Sequence, residues 1–349
     1  MRGDGLRVGG LRARIADRPV LWFWLIAVAI ELVVIPVFLL SGAQEGVDAA
    51  LTATGTDFNT DLVTAFRLVL NDHRAMAGVV LSLIQVAAPD IAVLMVGLLA
   101  GRHHLRQVAR RWRFWSPATG WRRGLRIWLQ MVAVFCAMNL ATAGLNAMTA
   151  RDEGFVWNVR PLLWPLLIGL VIAMFLDGGA VFEENGWRGF ALPLLQTRYG
   201  PLLGSIVLGL MWTAWHLPVK FDLVGYGPGA LSIVAVLTAK FVALTVLMTW
   251  FFNRIGGATI LAVAMHGLSN DSVRLGGFVF GDSLSAYLIS EINLLVPLAI
   301  GAVAVTLASR GRLGLPSTVT PTPSATVRRT PGRRHASTLR GKQVDRSDV

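Results

Sequence analysis

Charged residues are scarce in this chain. Asp, Glu, Lys and Arg make up 15% of its 349 residues, whereas apolar residues make up 54% and the mean hydropathy is +0.59. Soluble domains carry about 25% charged residues. The scarcity excludes an ordinary soluble domain and indicates an integral membrane protein, whose length suits one bundle of about eight helices with tails.

Cysteine and lysine are also nearly missing. Cys136 is the single cysteine, so the chain cannot form an intramolecular disulfide. Lysine occurs only at positions 220, 240 and 342, so arginine carries most of the net charge of +12. In a membrane protein an excess of positive charge usually lies in cytoplasmic loops and tails. We therefore interpret it first as evidence of topology and not of nucleic-acid binding. Lys240 lies inside an apolar run, where it can snorkel or pair with a buried acid.

Eight apolar runs predict an all-α, polytopic transmembrane helical bundle of about eight spans. The runs cover approximately residues 20–40, 76–99, 127–148, 161–181, 201–217, 230–252, 258–272 and 284–308. The first run is longer than the apolar part of a signal peptide and contains Glu31, so we interpret it as an uncleaved span. Pro89 predicts a kink in the second run. Residues 61–71 have the pattern of an amphipathic interfacial helix.

The chain divides into four regions by composition. They are a basic N-terminus (1–19), N-terminal transmembrane helices (20–159), a core that carries the site motifs (160–308), and a disordered basic tail (309–349). Residues 320–349 are rich in Pro, Ser, Thr and Arg and lack the apolar residues needed to fold alone. The chain does not end in a prenylation box.

Arginine placement predicts the orientation in the membrane. Eight arginines between positions 102 and 126, flanked by spans on both sides, predict a cytoplasmic loop. Together with the N-terminus and the tail, this loop places both termini of a multi-pass cell-membrane protein in the cytoplasm. We expect the loop and the tail to bind anionic lipids. Tryptophans lie among these arginines, but between two spans this pattern favours a membrane surface, and no nucleic-acid partner is expected.

Two adjacent acids and an arginine follow the fourth run. Glu184 and Arg188 are four residues apart, the favoured spacing for an ion pair on a helix. Glu183 points about 100° away from Glu184 on such a helix. A charge at membrane depth costs several kcal/mol, so this pattern indicates function rather than packing. We interpret Glu184 and Arg188 as supporting residues and Glu183 as the acid left for chemistry.

Two later stretches are candidate partners. Trp212 precedes His216 by four residues, and His266 precedes Asn270 by four, so each pair shares one helix face. Trp212 is expected to pack against His216 and to support it without doing chemistry. A glutamate base, a histidine that shares the proton and hydrogen-bond donors for an oxyanion are the groups that peptide hydrolysis needs.

These motifs in this order resemble the CPBP family. That family comprises the CAAX-prenyl-protease and bacteriocin-processing intramembrane proteases, also called Abi proteins. The resemblance covers roughly residues 160–275, with EExxxR, an aromatic-xxx-His and HxxxN on successive helices. One departure is Trp212, where the family more often has Phe.

The resemblance implies an intramembrane endopeptidase, and residues 160–308 would be its protease core. It implies that Glu183 and His216 activate water, while His266 and Asn270 stabilise the oxyanion. The substrate would be a peptide or a membrane protein, and the arginine-rich composition favours a bacterial inner membrane. For a bacterial source, prenylated CAAX proteins are improbable substrates despite the family's name.

A metal and two other functions stay open at this point. Glu183, His216 and His266 would suit Zn²⁺ with one open position, although the HExxH signature of metalloproteases is missing and no cofactor is required by the pattern. Intramembrane acids and histidines can instead form the proton relay of a transporter, but the chain shows no repeated halves. A catalytically inactive membrane adaptor on the same scaffold is the third reading.

Overall fold

A computed structural model describes residues 4–55, 61–158, 163–270, 276–279 and 283–315. Helices make up nearly all of it. The α-helices are α1 (Asp4–Asp17), α2 (Pro19–Leu40), α3 (Ala43–Thr54), α4 (Leu62–Asn71), α5 (Met76–Val86), α6 (Ala88–Ala100), α7 (His103–Arg111), α8 (Trp121–Thr149), α9 (Leu163–Leu176), α10 (Gly178–Glu184), α11 (Leu192–Tyr199), α12 (Pro201–His216), α13 (Ala230–Arg254), α14 (Thr259–Ser269) and α15 (Leu284–Ser309). The strands β1 (Phe155–Asn158) and β2 (Gly276–Val279) form one antiparallel pair. Residues 316–349, most of the predicted disordered tail, lie outside the described residues.

The structure does not confirm all eight predicted spans. Among the described residues, four helices are long and apolar enough to cross a membrane: α2, α8, α13 with the turn before it, and α15. The pair α5 and α6 makes a fifth if the two count as one broken span, bent by 55°. All eight predicted runs contain helix, but eight spans are not confirmed.

Helix length explains the difference. The helices α12 and α14 contain 16 and 11 residues, and the described part of α9 contains 14, whereas a straight span needs about 20. In α14 every residue from Leu261 to Leu268 is buried. A short apolar run of this kind is a core helix packed on all sides, and hydropathy alone does not distinguish it from a span.

The break in the second predicted span falls just before Pro89. Helix α5 ends at Val86 and α6 starts at Ala88, so Pro89 occupies the first turn of α6. Proline suits the first turn because its missing N–H would have no helical partner there. The predicted kink is therefore a break between two helices, and it lies next to the glutamate motif described below.

Helix α14 lies at the centre of the fold. It packs against α8, α9, α10 and α13, while α13 also packs against α12 and α15. Lys240 on α13 and Glu291 on α15 form an ion pair of 2.5 Å, which joins these two helices inside the bundle. The arrangement brings α10, α12 and α14, the carriers of the three motifs, around one buried core.

Candidate functional site

The glutamate motif lies where an α-helix widens into a π-helix. Asp177 caps α10 by accepting the Ala180 N–H at 2.8 Å. The α-helical hydrogen bonding ends at Glu184, and a π-helix follows over Asn185–Ala191 before α11 begins. π-Helical segments are rare and frequently mark functional sites. The chain therefore stays helical beyond Val181, with this irregularity between α10 and α11.

Glu184 and Arg188 form a fully buried ion pair. Nη1 of Arg188 donates to Oε1 of Glu184 at 2.6 Å, and both side chains have zero exposure. The second guanidinium nitrogen, Nη2, contacts Thr245 at 3.3 Å and the Met248 sulfur at 3.2 Å. The i, i+4 pairing expected from the sequence is present, and it fixes Arg188 against α13.

Glu183 has a different set of partners. Its Oε2 accepts hydrogen bonds from the indole N–H groups of Trp187 at 3.1 Å and Trp212 at 3.0 Å. In the described chain no residue donates to Oε1, and no cation forms a hydrogen bond with this carboxylate. The two adjacent acids therefore differ in their partners. Glu184 pairs with the charged Arg188, whereas Glu183 accepts from two neutral indole N–H groups.

His266 is the second partner of Glu184. Its Nδ1 lies 2.9 Å from the same Oε1 that binds Arg188. A carboxylate accepts, so Nδ1 carries the proton and Nε2 is the nitrogen left for other partners. The His266 ring packs edge-on against Trp212, with ring centres 5.0 Å apart.

His216 is held by its own helix. Nδ1 lies 2.9 Å from the carbonyl oxygen of Trp212, one turn earlier. A carbonyl only accepts, so Nδ1 is again the N–H and Nε2 carries the lone pair of the neutral ring. The rings of Trp215 and Phe241 pack against the imidazole at 4.8 and 4.5 Å between centres. No hydrogen bond joins His216 to Glu183 in the described residues.

Asn270 reaches the site from the end of α14. Its Nδ2 donates to Oδ1 of Asp177 at 3.0 Å, next to the start of α10. Gly179 lies between this pair and Glu183. A Cβ placed on Gly179 would be 3.1 Å from Oε1 of Glu183 and 3.6 Å from Nδ2 of Asn270. The open oxygen of Glu183 and the amide of Asn270 therefore face the same point above the glycine.

Asp90 supports the motif from α6. It accepts the Asn185 side chain at 2.7 Å and the Gly186 N–H at 2.9 Å, directly after Glu184. Gly186 is packed so closely on α6 that an added Cβ would lie 2.7 Å from Pro89. Asp90 thus holds the start of the π-helix against the first turn of α6, which follows the break between α5 and α6.

Part of the chain is similar in sequence to known proteins. Residues 160–271 match the family model described as type II CAAX prenyl endopeptidase Rce1-like. The resemblance to the CPBP family is confirmed. A curated relative, CAAX prenyl protease 2 of Methanococcus maripaludis, is 32% identical over 110 residues, which are 30% of this chain. The aligned part spans 38% of that relative's length, so only part of it is matched.

The CPBP-like segment contains all of the predicted site residues. The structure brings Glu183, Glu184, Arg188, Trp212 and His266 into one continuous buried cluster. His216 contacts this cluster through its hydrogen bond to Trp212. Asn270 lies beside it, because its amide and Oε1 of Glu183 both face the space above Gly179.

Trp187 and Asp177 were not identified from the sequence, whereas Asp90 stands out there as an acid inside the second apolar run, with a structural role expected. Trp187 stands four residues after Glu183, a spacing that could have indicated the contact. No signal in the sequence indicated the partners of the two aspartates, because Asn270 is 93 residues from Asp177, and the partners of Asp90 are 95 and 96 residues away. Trp212, expected only to pack, donates a hydrogen bond to Glu183.

The candidate zinc ligands do not form a metal-holding group. Among the described residues no three His, Cys, Asp or Glu side chains are grouped to bind an ion. Nδ1 of each histidine and Oε2 of Glu183 have protein partners, which leaves Nε2 of each ring and Oε1 of Glu183 as the open atoms. The chemistry proposed below is written for the chain's own side chains.

Proposed function

We propose that the chain is an intramembrane endopeptidase that uses Glu183 as its general base. The observation that carries the proposal is the division of partners between the two glutamates. Arg188 and His266 both bind Glu184, whereas in the described part of the chain Glu183 accepts only the two indole N–H groups. A general base needs an oxygen that can take a proton from water. Oε1 of Glu183 is that oxygen.

Hydrolysis would begin at the point above Gly179. Oε1 of Glu183 takes a proton from water as the water oxygen bonds to the scissile carbonyl carbon. The same carboxyl group then gives the proton to the amide nitrogen as the C–N bond breaks, leaving a carboxylic acid and an amine. Nε2 of His216, the free nitrogen of that ring, would share in the proton transfer.

Asn270 and His266 would stabilise the oxyanion. Asn270 is held by Asp177 at 3.0 Å, so its amide is fixed before substrate binds, which is what makes an oxyanion donor effective. His266 can donate from Nε2 when the ring is protonated, and its bond to the carboxylate of Glu184 favours that charged form. Removing one such donor from an enzyme typically costs about 10² to 10³ in rate.

The substrate would be a peptide or a membrane protein cleaved close to the bilayer. The site residues lie on helices of the apolar bundle. Helices α12 and α14, which carry Trp212, His216 and His266, lie next to long membrane helices. The bilayer itself is the second partner, with the protein inserted in a cell membrane as a multi-pass protein.

Paired substitutions test the proposal. The full chain in nanodiscs is assayed against a quenched-fluorescent peptide library, with Tm measured in parallel. Glu183→Gln should lower cleavage by about 10² to 10⁴ because an amide takes no proton from water. Glu184→Gln should instead lower Tm, because it leaves a buried guanidinium without its carboxylate.

Two outcomes would contradict it. Full activity in Glu183→Gln with loss in Glu184→Gln would exchange the roles of the two acids. Full activity in both would exclude the glutamate mechanism. A parallel measurement of the wild type with and without a chelator shows whether a metal contributes.

A further inference from the structure

An open groove lies between α6 and α7, outside the cluster of site residues. Its volume is about 480 Å³. Six of its lining residues are apolar: Val93, Leu94, Leu105, Val108, Ala109 and Trp112. The inner end reaches Asp90 and Asn185, whose polar atoms bond each other at 2.7 Å. The groove is therefore an apolar channel that ends at the residue following Glu184.

Helix α7 has two distinct faces. Leu105, Val108, Ala109 and Trp112 follow the i, i+3, i+4, i+7 spacing and line the groove. Arg102, at the start of α7, is followed by Arg106 and Arg110 at four-residue intervals, and all three are exposed. On a helix this arginine stripe is turned by about 100° from the groove face. The arginines thus stand along one rim of the groove.

The arginine stripe carries unbalanced charge. In the part of the chain that the structure describes, no hydrogen bond or ion pair involves its three side chains. Residues 102–126 include no Asp or Glu. Arg111 and Arg113, by contrast, donate to the carbonyl oxygens of Gly189 and Gly256. The three side chains of the stripe are therefore available to bind an anion, whereas Arg111 and Arg113 bind backbone carbonyl oxygens.

We propose that this groove is a binding site for an anionic phospholipid. One acyl chain occupies the apolar channel, and the phosphate binds Arg106 and Arg110 on the rim. The exposed Trp112, 47% accessible, stands at the end of α7 where an indole prefers the headgroup level. A zwitterionic lipid would fit the channel equally but would lose the charge pairing, so headgroup charge is the specific feature of the site.

Native mass spectrometry of the full chain tests the site independently of protease activity. The probes are palmitoyl-oleoyl phosphatidylglycerol and the matching phosphatidylcholine, each titrated into purified protein. Phosphatidylglycerol should bind at least tenfold more tightly. Each arginine near a lipid surface contributes about fivefold in affinity, so Arg106→Gln with Arg110→Gln should weaken phosphatidylglycerol binding roughly 25-fold.

Two further variants separate the headgroup from the chain. Arg67→Gln with Arg198→Gln removes the same charge from exposed arginines outside the arginine-rich loop and the tail, and should leave binding unchanged. Ala109→Trp fills the groove from its exposed side and should lower the binding of both lipids. Equal binding of the two lipids, an equal loss in the control pair, or unchanged binding in Ala109→Trp would each overturn the proposal.

Discussion

The indole nitrogen of Trp212 lies 3.0 Å from Oε2 of Glu183, on a helix 29 residues further along the chain. Trp187 donates to the same oxygen at 3.1 Å. The two indoles fix the carboxylate through Oε2, and Oε1 of Glu183 accepts from no donor among the described residues. A Phe in place of Trp212 would keep the packing but could not hold this orientation.

The two hydrogen bonds can be tested by removing one at a time. Trp212→Phe and Trp187→Phe should each lower turnover about tenfold, since a hydrogen bond to a charged group is worth about 1.5–3 kcal/mol. Trp215→Phe is the matched control, because Trp215 is equally buried and its Nε1 has no partner in the described chain. Peptide cleavage and Tm are measured for all three. Equal losses of activity in all three would mean that ring volume matters and the hydrogen bonds do not.

Arg188 should be replaceable only at a cost in stability. Its guanidinium binds Glu184 at 2.6 Å, contacts Thr245 and lies 4.2 Å from the centre of the Trp212 ring. Lysine has no planar fork and cannot make these contacts together. Breaking a buried pair costs about 3–5 kcal/mol, so Arg188→Lys should lose a large part of that amount.

Thermal unfolding in detergent measures the effect. Arg198→Lys provides the control, since Arg198 is exposed at the end of α11. An unchanged Tm in Arg188→Lys would show that the ion pair contributes nothing that a simple ammonium cannot.

The orientation in the membrane remains a prediction from arginine placement. Single cysteines at Arg110 and Gly225, both exposed, are introduced into a Cys136→Ser background. If the arginine-rich loop is cytoplasmic, a membrane-impermeant thiol reagent added outside intact cells should label only position 225. Labelling of position 110 from outside would invert the topology.

Local patterns in the sequence were sufficient for the helices and for one contact of the site. The i, i+4 spacing of Glu184 and Arg188 predicts an ion pair that the structure contains, because one helical turn decides it. The apolar runs predict helices correctly for the same reason. The number of spans is not confirmed, because α14, with 11 residues, is short for a span and is buried among other helices.

Several other contacts of the site depend on how distant helices meet. His266 is 82 residues from Glu184, and Asp90 is 96 residues from Gly186. No periodicity within a helix encodes such pairs. The π-helix that follows Glu184 also has no clear local signature in the sequence. Even Lys240, for which the sequence predicts snorkelling or a buried acidic partner, gives no indication that the partner is Glu291, 51 residues away.

Gly179 offers a test that separates catalysis from folding. It lies in the first turn of α10, where alanine favours a helix over glycine by up to about 1 kcal/mol. The new Cβ would lie 3.1 Å from Oε1 of Glu183 and 3.6 Å from Nδ2 of Asn270, at the point where water must bind. Gly179→Ala should therefore keep or raise Tm while lowering cleavage at least tenfold, the cost of shifting a catalytic group from its working geometry. Gly144→Ala is the control, since it adds the same methyl group within α8 with no atom inside 4 Å. Normal cleavage in Gly179→Ala would place the attacking water elsewhere and would remove Oε1 of Glu183 as the base.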